Sequence, residues 1–208
     1  MKSRRLVGVF LLLVGGVLAV VGGLRLLEPN EYRAVAMVQG SETPPNYSGP
    51  YFLLTDFQTI ESHPVFSNVV GSMHLNERWG RKYNHGAVLG EAETEELIKR
   101  HVDLRNVRNT RVIEIITYDD DPEEAAKLAN AISESYRQVR WDEQRRLAEA
   151  KNPGAIIDRP VELISPAIPE FRPVRPDRYL AGAMLGCGLF LMIVGIACWN
   201  HRKAMQTE

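Results

Sequence analysis

Acidic side chains crowd one short segment of the chain, and such clusters can bind Ca²⁺ or Mg²⁺. The segment DDDPEE contains Asp119, Asp120, Asp121, Glu123 and Glu124. An EF-hand loop instead places its ligands at alternate positions around a central glycine and closes with a glutamate. Because the segment lacks that order, the sequence favours a helix N-terminus over a metal site.

The same segment carries the residues that begin a helix. Asp121 is predicted as the N-cap, Pro122 as the first helical residue, and Glu124 as the glutamate of a capping box. Negative charge at this position also complements the helix dipole. The helix is predicted to continue to about Ala150, and Pro153-Gly154 breaks it.

Patterns typical of catalysis are missing from the sequence. The histidines of the central region are His63, His74, His85 and His101. Their spacing matches neither HxxxH nor HExxH, and the sequence contains no GxSxG motif or phosphate-binding loop. Both cysteines, Cys187 and Cys198, lie in an apolar segment near the C-terminus. The sequence therefore predicts no enzyme: it has no catalytic residues, no metal site and no cofactor site.

Two apolar segments frame the central region and predict membrane-spanning helices. Leu6–Leu24 and Tyr179–Trp199 contain no ionisable residue, and about 20 apolar helical residues cross a hydrocarbon core. The alternative for the first segment is a cleaved signal peptide, since a basic N-terminus precedes it. Its apolar run is longer than a signal peptide requires, and we predict an uncleaved anchor.

Basic residues predict the orientation of these two spans. Lys2, Arg4 and Arg5 precede the first span, which favours cytoplasmic termini and a central region on the other side of the membrane. The lack of cysteines in that region fits a periplasmic location. The predicted organisation is a cytoplasmic N-terminus at 1–5, a span at 6–27, a periplasmic domain at 28–164, a juxtamembrane strap at 165–178, a span at 179–199 and a cytoplasmic tail at 200–208. Acidic residues outnumber basic ones between Glu28 and Arg178, which argues against nucleic acid as a partner.

Periodicity in the central region predicts an α+β fold: a small mixed sheet with packed helices and one long helix, flanked by the two transmembrane helices. The predicted elements are a strand at Glu31–Gln39, a turn-rich loop at Ser41–Gly49, helices at Ser62–Leu75 and Thr94–His101, strands at Val102–Val107 and Arg111–Tyr118, the long helix, and a strand at Pro160–Ile164. Thr94 is predicted as an N-cap.

Prolines recur every three or four residues in the strap, at Pro166, Pro169, Pro173 and Pro176. Each proline fixes φ and removes a backbone donor, so the segment is expected to be stiff. A stiff segment next to a span would hold a domain close above the membrane at a fixed height. The alternative is that these prolines only end a strand.

Small residues at four-residue spacing mark one face of each span. They are Gly15, Ala19 and Gly23 in the first span and Gly182 and Gly186 in the second. Such faces let helix backbones approach closely, although glycine is also frequent in membrane helices generally. We predict close helix packing and a homo-oligomer that uses these faces.

Several segments, taken in order, match a known family. They are the N-terminal span, PYFLLTDFQTIESHPVFSNVV at Pro50–Val70, TRVIEIITYDDDPEEAAKLANAI at Thr110–Ile132, VELISPAIPEFRPVRP at Val161–Pro176, and the glycine-bearing second span. With these segments the chain resembles the Wzz-type polysaccharide chain-length determinants, also called polysaccharide co-polymerases. The most specific features are the DPxxAAxxANA stretch after a strand and the PxxP before a glycine-rich span.

The resemblance implies an α/β domain in the periplasm that stands on two membrane helices and assembles into rings. Members of this family control how long a polymerase extends O-antigen, capsule or exopolysaccharide, and their periplasmic domain has no catalytic residues. The implied partners are further copies of the chain, membrane lipid and a polysaccharide polymerase. The strap then corresponds to the family's hinge before the second span.

The chain resembles a short form of this family. The stretch between Ile132 and Val161 leaves no room for the returning arm of the long helical hairpin found in larger members. The segment after the second span carries no phosphate-loop motif of a fused tyrosine kinase. The alternative function is therefore a membrane adaptor that activates or anchors a separate cytoplasmic tyrosine kinase.

Overall fold

The computed structural model describes residues 2–39, 51–151 and 161–204. The predicted loop at Ser41–Gly49 and the predicted helix break at Pro153-Gly154 lie outside these residues. The chain forms two compact units: residues up to Glu31 together with residues from Pro173 onward, and Tyr32–Arg172. The helices are α1 Lys2–Leu27, α2 Tyr51–Ile60, α3 His63–Met73, α4 Leu75–Tyr83, α5 Glu91–His101, α6 Pro122–Lys151 and α7 Arg178–Ala204. The strands are β1 Tyr32–Gln39, β2 Val102–Asn106, β3 Val112–Asp119 and β4 Leu163–Ser165.

The first unit contains the two apolar helices, α1 and α7. Within them, Gly8–Leu27 and Arg178–Ala197 are long and apolar enough to cross a membrane. Asp177 begins α7, because its Oδ1 accepts hydrogen bonds from Tyr179 N–H and Leu180 N–H, both at 3.1 Å. Both segments predicted as spans are therefore helical.

The second unit is built on a four-stranded sheet in the order β2-β3-β1-β4. Every neighbouring pair is antiparallel, so the prediction of a mixed sheet was wrong. A tight turn fixes the direction of β2 and β3, with Val107 N–H donating to Val112 O at 3.0 Å; such a turn joins only antiparallel strands. The four predicted strands are confirmed, with ends shifted by a few residues.

The helices of this unit differ from the prediction at three places. α2 was not predicted, and α4 follows α3 after a break at His74, whose φ of 52° is left-handed. Thr94 was wrong as an N-cap: it is buried inside α5 and donates to Asn76 Oδ1 at 2.7 Å. Gly90 precedes the first turn of α5, and its N–H donates to Glu93 Oε2 at 3.1 Å.

The hydrophobic core lies where α6 packs on the sheet. β1 buries every second residue, Ala34, Ala36 and Val38. The facing stripe of α6 includes the buried side chains Ala125, Ala129, Leu128, Ile132 and Tyr136. The alanines at the start of α6 keep its backbone close to the strands, while the larger residues further along reach α3.

Candidate functional site

The proline-rich strap and the long helix meet at one asparagine. The side-chain amide of Asn130 accepts a hydrogen bond from Ala167 N–H at 2.8 Å and donates one to Ala167 O at 3.0 Å. Ala167 is buried and lies between Pro166 and Pro169. Because prolines cannot donate backbone hydrogen bonds, this amide supplies the strap with a fixed point on α6.

The remaining prolines of the strap, Pro173 and Pro176, lie in the first unit. There the strap backbone pairs with Glu31, four residues after the end of α1. Glu31 N–H donates to Arg175 O at 2.8 Å, and Val174 N–H donates to Glu31 O at 2.8 Å. Arg178 also donates to Asn30 Oδ1 at 2.7 Å. Pro173 is half-buried and Pro176 is buried. This end of the strap is therefore held by hydrogen bonds as well as by proline stiffness.

The N-terminus of α6 differs in one detail from the predicted capping box. Asp121 Oδ1 accepts from Glu123 N–H at 2.8 Å, and the helix begins at Pro122. In a capping box, the N-cap N–H would donate to the side chain of Glu124. Here Asp121 N–H donates instead to Asp119 Oδ1 at 3.2 Å. Glu124 points elsewhere, which frees its carboxylate for contacts outside the cap.

Basic side chains balance this acidic segment. Glu124 accepts hydrogen bonds from Arg78 of α4 and from Lys127 Nζ at 3.0 Å. Burial opposes the ionisation of Glu124, but these two cations outweigh it and hold the pKa of its carboxyl below the ordinary value. The acidic segment thus joins α4 to the start of α6 through ion pairs.

Lys82 of α4 completes the same contact. Its Nζ lies 3.0 Å from Asp119 Oδ1 and 2.5 Å from Asp120 Oδ1. Burial opposes the charge on Lys82, but its hydrogen bonds with Asp120 and Asp119 outweigh that cost and raise its pKa. The carboxylates that resemble a cation site in the sequence therefore have lysine and arginine partners.

A buried ion pair connects α2 to α6. Asp56 is 1% exposed, and its Oδ1 accepts a hydrogen bond from Arg140 Nη2. Tyr136 is fully buried beside this pair, and burial together with the Asp56 charge raises the pKa of its hydroxyl. Buried charges need close, well-oriented partners, so this pair fixes the position of α2 on α6.

An open groove of about 770 Å³ lies between α2, α3 and α6. Its lining includes the polar side chains Gln58, Thr59, Asn68, Asp142 and Arg146. Amides, hydroxyls, carboxylates and guanidinium groups can donate or accept hydrogen bonds to a polar ligand. The groove therefore suits contact with a polar molecule or surface better than enclosure of an apolar one.

A second cluster of chemically active side chains lies where α3 meets α5. His63 Nδ1 is 2.6 Å from Glu95 Oε1, and Ser67 Oγ donates to Glu91 Oε1 at 2.6 Å. The ligand atoms of His63, Glu91 and Glu95 lie within 4.8 Å of one another. Sequence spacing gives no sign of this cluster, because the histidine and the glutamates belong to different helices.

Small residues in the first unit pack in a pattern that the sequence analysis missed. The buried positions described in α1 and α7 are Gly8, Gly15, Gly22, Ala181, Gly188 and Gly195. They recur at every seventh residue in each helix. A Cβ at Gly188 would lie 2.5 Å from Ala19 N and 2.7 Å from Gly15 O. The backbones of α1 and α7 therefore touch along this seam, and the two helices run antiparallel.

The predicted small residues divide between this seam and the opposite surface. Gly15 and Ala19 lie in the seam. A Cβ placed on Gly23, Gly182 or Gly186 would meet nothing within 4 Å among the described residues. These three glycines therefore make no contact between α1 and α7 among the described residues, and their predicted use in a homo-oligomer stays a prediction.

Two comparisons with known proteins found no match for the chain. No model of a protein family matches the chain, and no curated protein matches it.

Proposed function

We propose that the chain is a non-catalytic membrane protein of the polysaccharide co-polymerase type, which regulates the length or export of a bacterial surface polysaccharide. In this proposal α1 and α7 span the inner membrane, and the second unit lies in the periplasm. The partners are further copies of the chain, membrane lipid and a polysaccharide polymerase. The proposal follows from the sequence resemblance to the Wzz-type family, whose members have this role.

The contact between Asn130 and Ala167 carries this proposal. Asn130 belongs to the DPxxAAxxANA stretch, and Ala167 belongs to the proline-rich strap. These are the two segments on which the family resemblance chiefly depends, and 37 residues of chain separate them. Their pairing supports the view that the two segments act as one structural device, as the resemblance implies.

The packing of α1 on α7 supports the proposed topology. An antiparallel pair of spans leaves both termini on one side and the intervening unit on the other. Lys2, Arg4 and Arg5 favour the cytoplasm for the termini. A closely packed pair with touching backbones is also the arrangement that small residues stabilise in membranes.

The outward glycines support self-association. Gly182 and Gly186 are exposed on α7, one turn apart, with open space around them. An exposed small-xxx-small face on a membrane helix allows another helix to approach closely. The seam residues are already used within one chain, which leaves Gly182 and Gly186 for contacts between chains.

A bacterium that carries the gene provides the test. We expect its deletion to change the length distribution of the surface polysaccharide on a gel, and the wild-type gene to restore it. A variant with Pro173→Gly and Pro176→Gly should reach the membrane fraction yet fail to restore the distribution, because a flexible tether replaces the strap. Thermal unfolding checks that this variant is folded, since Pro176 is buried.

The kinase-adaptor alternative gives a different result in the same strains. It predicts reduced tyrosine phosphorylation of a cytoplasmic kinase and less polysaccharide, with chain length unchanged. A deletion that alters neither polysaccharide nor phosphorylation would contradict both functions.

A further inference from the structure

The junction of α3 and α5 brings metal-ligating side chains together. His63 stands at the first position of α3, and Glu91 and Glu95 stand one turn apart on α5. Residues four apart lie on the same helix face, so both carboxylates point to the same side. One ligand atom from each of the three side chains lies within 4.8 Å of the others.

Neighbouring contacts already orient these side chains. His63 Nδ1 is 2.6 Å from Glu95 Oε1, and the side chain of Glu95 is only 15% exposed. Ser67, one turn beyond His63, donates to Glu91 Oε1 at 2.6 Å. The bond from Ser67 is an outer contact of the kind that orients a metal ligand. The contact between His63 and Glu95 places two of the ligand atoms side by side.

The charges favour a cation between the two glutamates. Like charges one helical turn apart destabilise a helix, and Glu91 and Glu95 form such a pair on α5. A divalent ion would replace that repulsion with ligation. We propose that His63, Glu91 and Glu95 form a binding site for a divalent transition-metal ion of the Zn²⁺ class.

The ligand types select this class of ion. An imidazole nitrogen with carboxylate oxygens suits Zn²⁺ and related metals, whereas Ca²⁺ and Mg²⁺ prefer oxygen ligands alone. Three protein ligands leave a coordination position for water or another group. His63 and Ser67 also line the polar groove, so the proposed site adjoins that surface. This site is independent of the proposed role in polysaccharide assembly.

Calorimetric titration with ZnCl₂ tests the site. The full chain is purified in detergent through a tag without histidine, and MgCl₂ serves as the comparison ion. We expect the wild type to bind one Zn²⁺ per chain in a saturable way, at least about 10-fold more tightly than Mg²⁺. His63→Gln and Glu95→Gln should each weaken Zn²⁺ binding by about 10-fold or more.

Glu96→Gln is the matched control. It removes the same charge from the same helix, at an exposed residue whose carboxylate lies 3.7 Å from Arg100, and it should bind Zn²⁺ as the wild type does. Thermal unfolding without metal establishes that each variant is folded. The proposal is overturned by a wild type without saturable binding, by site variants that bind normally, or by equal weakening in the Glu96→Gln control.

Discussion

Asn130 holds the backbone of Ala167 through both of its amide atoms, at 2.8 and 3.0 Å. A single side chain thereby satisfies the N–H and the C=O of one strap residue, and it supplies a donor that the neighbouring prolines lack in their own backbones. The DPxxAAxxANA stretch is thus more than a helix start. Its alanines bring α6 close to the sheet, and its asparagine anchors the segment that leads towards α7.

Replacement of Asn130 should loosen the strap. We expect Asn130→Ala to lower the free energy of unfolding of the second unit by about 1–3 kcal/mol, because each lost hydrogen bond contributes about 0.5–1.5 kcal/mol. Chemical denaturation measures this loss. Gln138→Ala on the same helix is the control, since Gln138 is exposed and its side-chain amide donates to the nearby Asp142 at 3.2 Å. Equal stability of the two variants would contradict the anchoring role.

The ion pair between Asp56 and Arg140 should be costly to break from one side. Asp56→Asn removes the buried charge partner of Arg140, which keeps its contact with the exposed Glu143 at 3.0 Å, so we expect a loss of about 2–3 kcal/mol in unfolding free energy. Asp142→Asn, the same change at a surface position of the groove, should cost less than about 0.5 kcal/mol. Denaturation curves of the two variants provide the comparison. Surface ion pairs contribute about 0–1 kcal/mol. A loss within that range for Asp56→Asn would show that the pair is effectively solvated.

Glu124 gives the second unit a defined dependence on pH. Its folded pKa lies below the ordinary value of 4.5, so its ion pairs stabilise the fold above that value. This contribution is lost as the pH falls through the lower folded value. We expect Glu124→Gln to be less stable than the wild type by about 0.5–1 kcal/mol at neutral pH.

The difference between wild type and Glu124→Gln should shrink in thermal melts as the pH falls below the ordinary value of 4.5, because the carboxyl then becomes protonated. Glu123→Gln is the control, because Glu123 is exposed and lies 4.0 Å from Lys127. A difference that is constant across the pH range would rule out the ion pairs as its source.

Two glycines of α7 are predicted to have different roles: Gly188 packs against α1, and Gly186 contacts another chain. Gly188→Val should disrupt the pairing of α1 with α7, because its Cβ would overlap the backbone at Ala19 and Gly15. Gly186→Val, two residues earlier, meets open space and should leave the helix pair intact. We expect the first variant to lose thermal stability in detergent and the second to lose only crosslinking between chains. Equal effects on both measurements would contradict this division.

Much of the fold was predictable because it depends on local patterns. The apolar segments of α1 and α7, the alternation of β1 and the cap and proline before α6 each specify an element from a few adjacent residues. α2 was not predicted, although Phe57 and Ile60 lie three residues apart and both pack at the core. α4 was missed because Leu75 and Trp79 are its main apolar anchors among charged residues.

The sequence by itself determined where the four strands and the long helix α6 lie and that two of the helices are apolar enough for a membrane. Only the tertiary structure decided which residues meet: Asn130 with Ala167, Asp56 with Arg140, and His63 with Glu95. It also decided that Gly188 faces α1 while Gly186 faces outward. The physical reason is that periodicity and capping act within one turn or strand, whereas these contacts join segments far apart in the chain. Their partners are selected by packing, hydrogen bonding and charge once the core has formed.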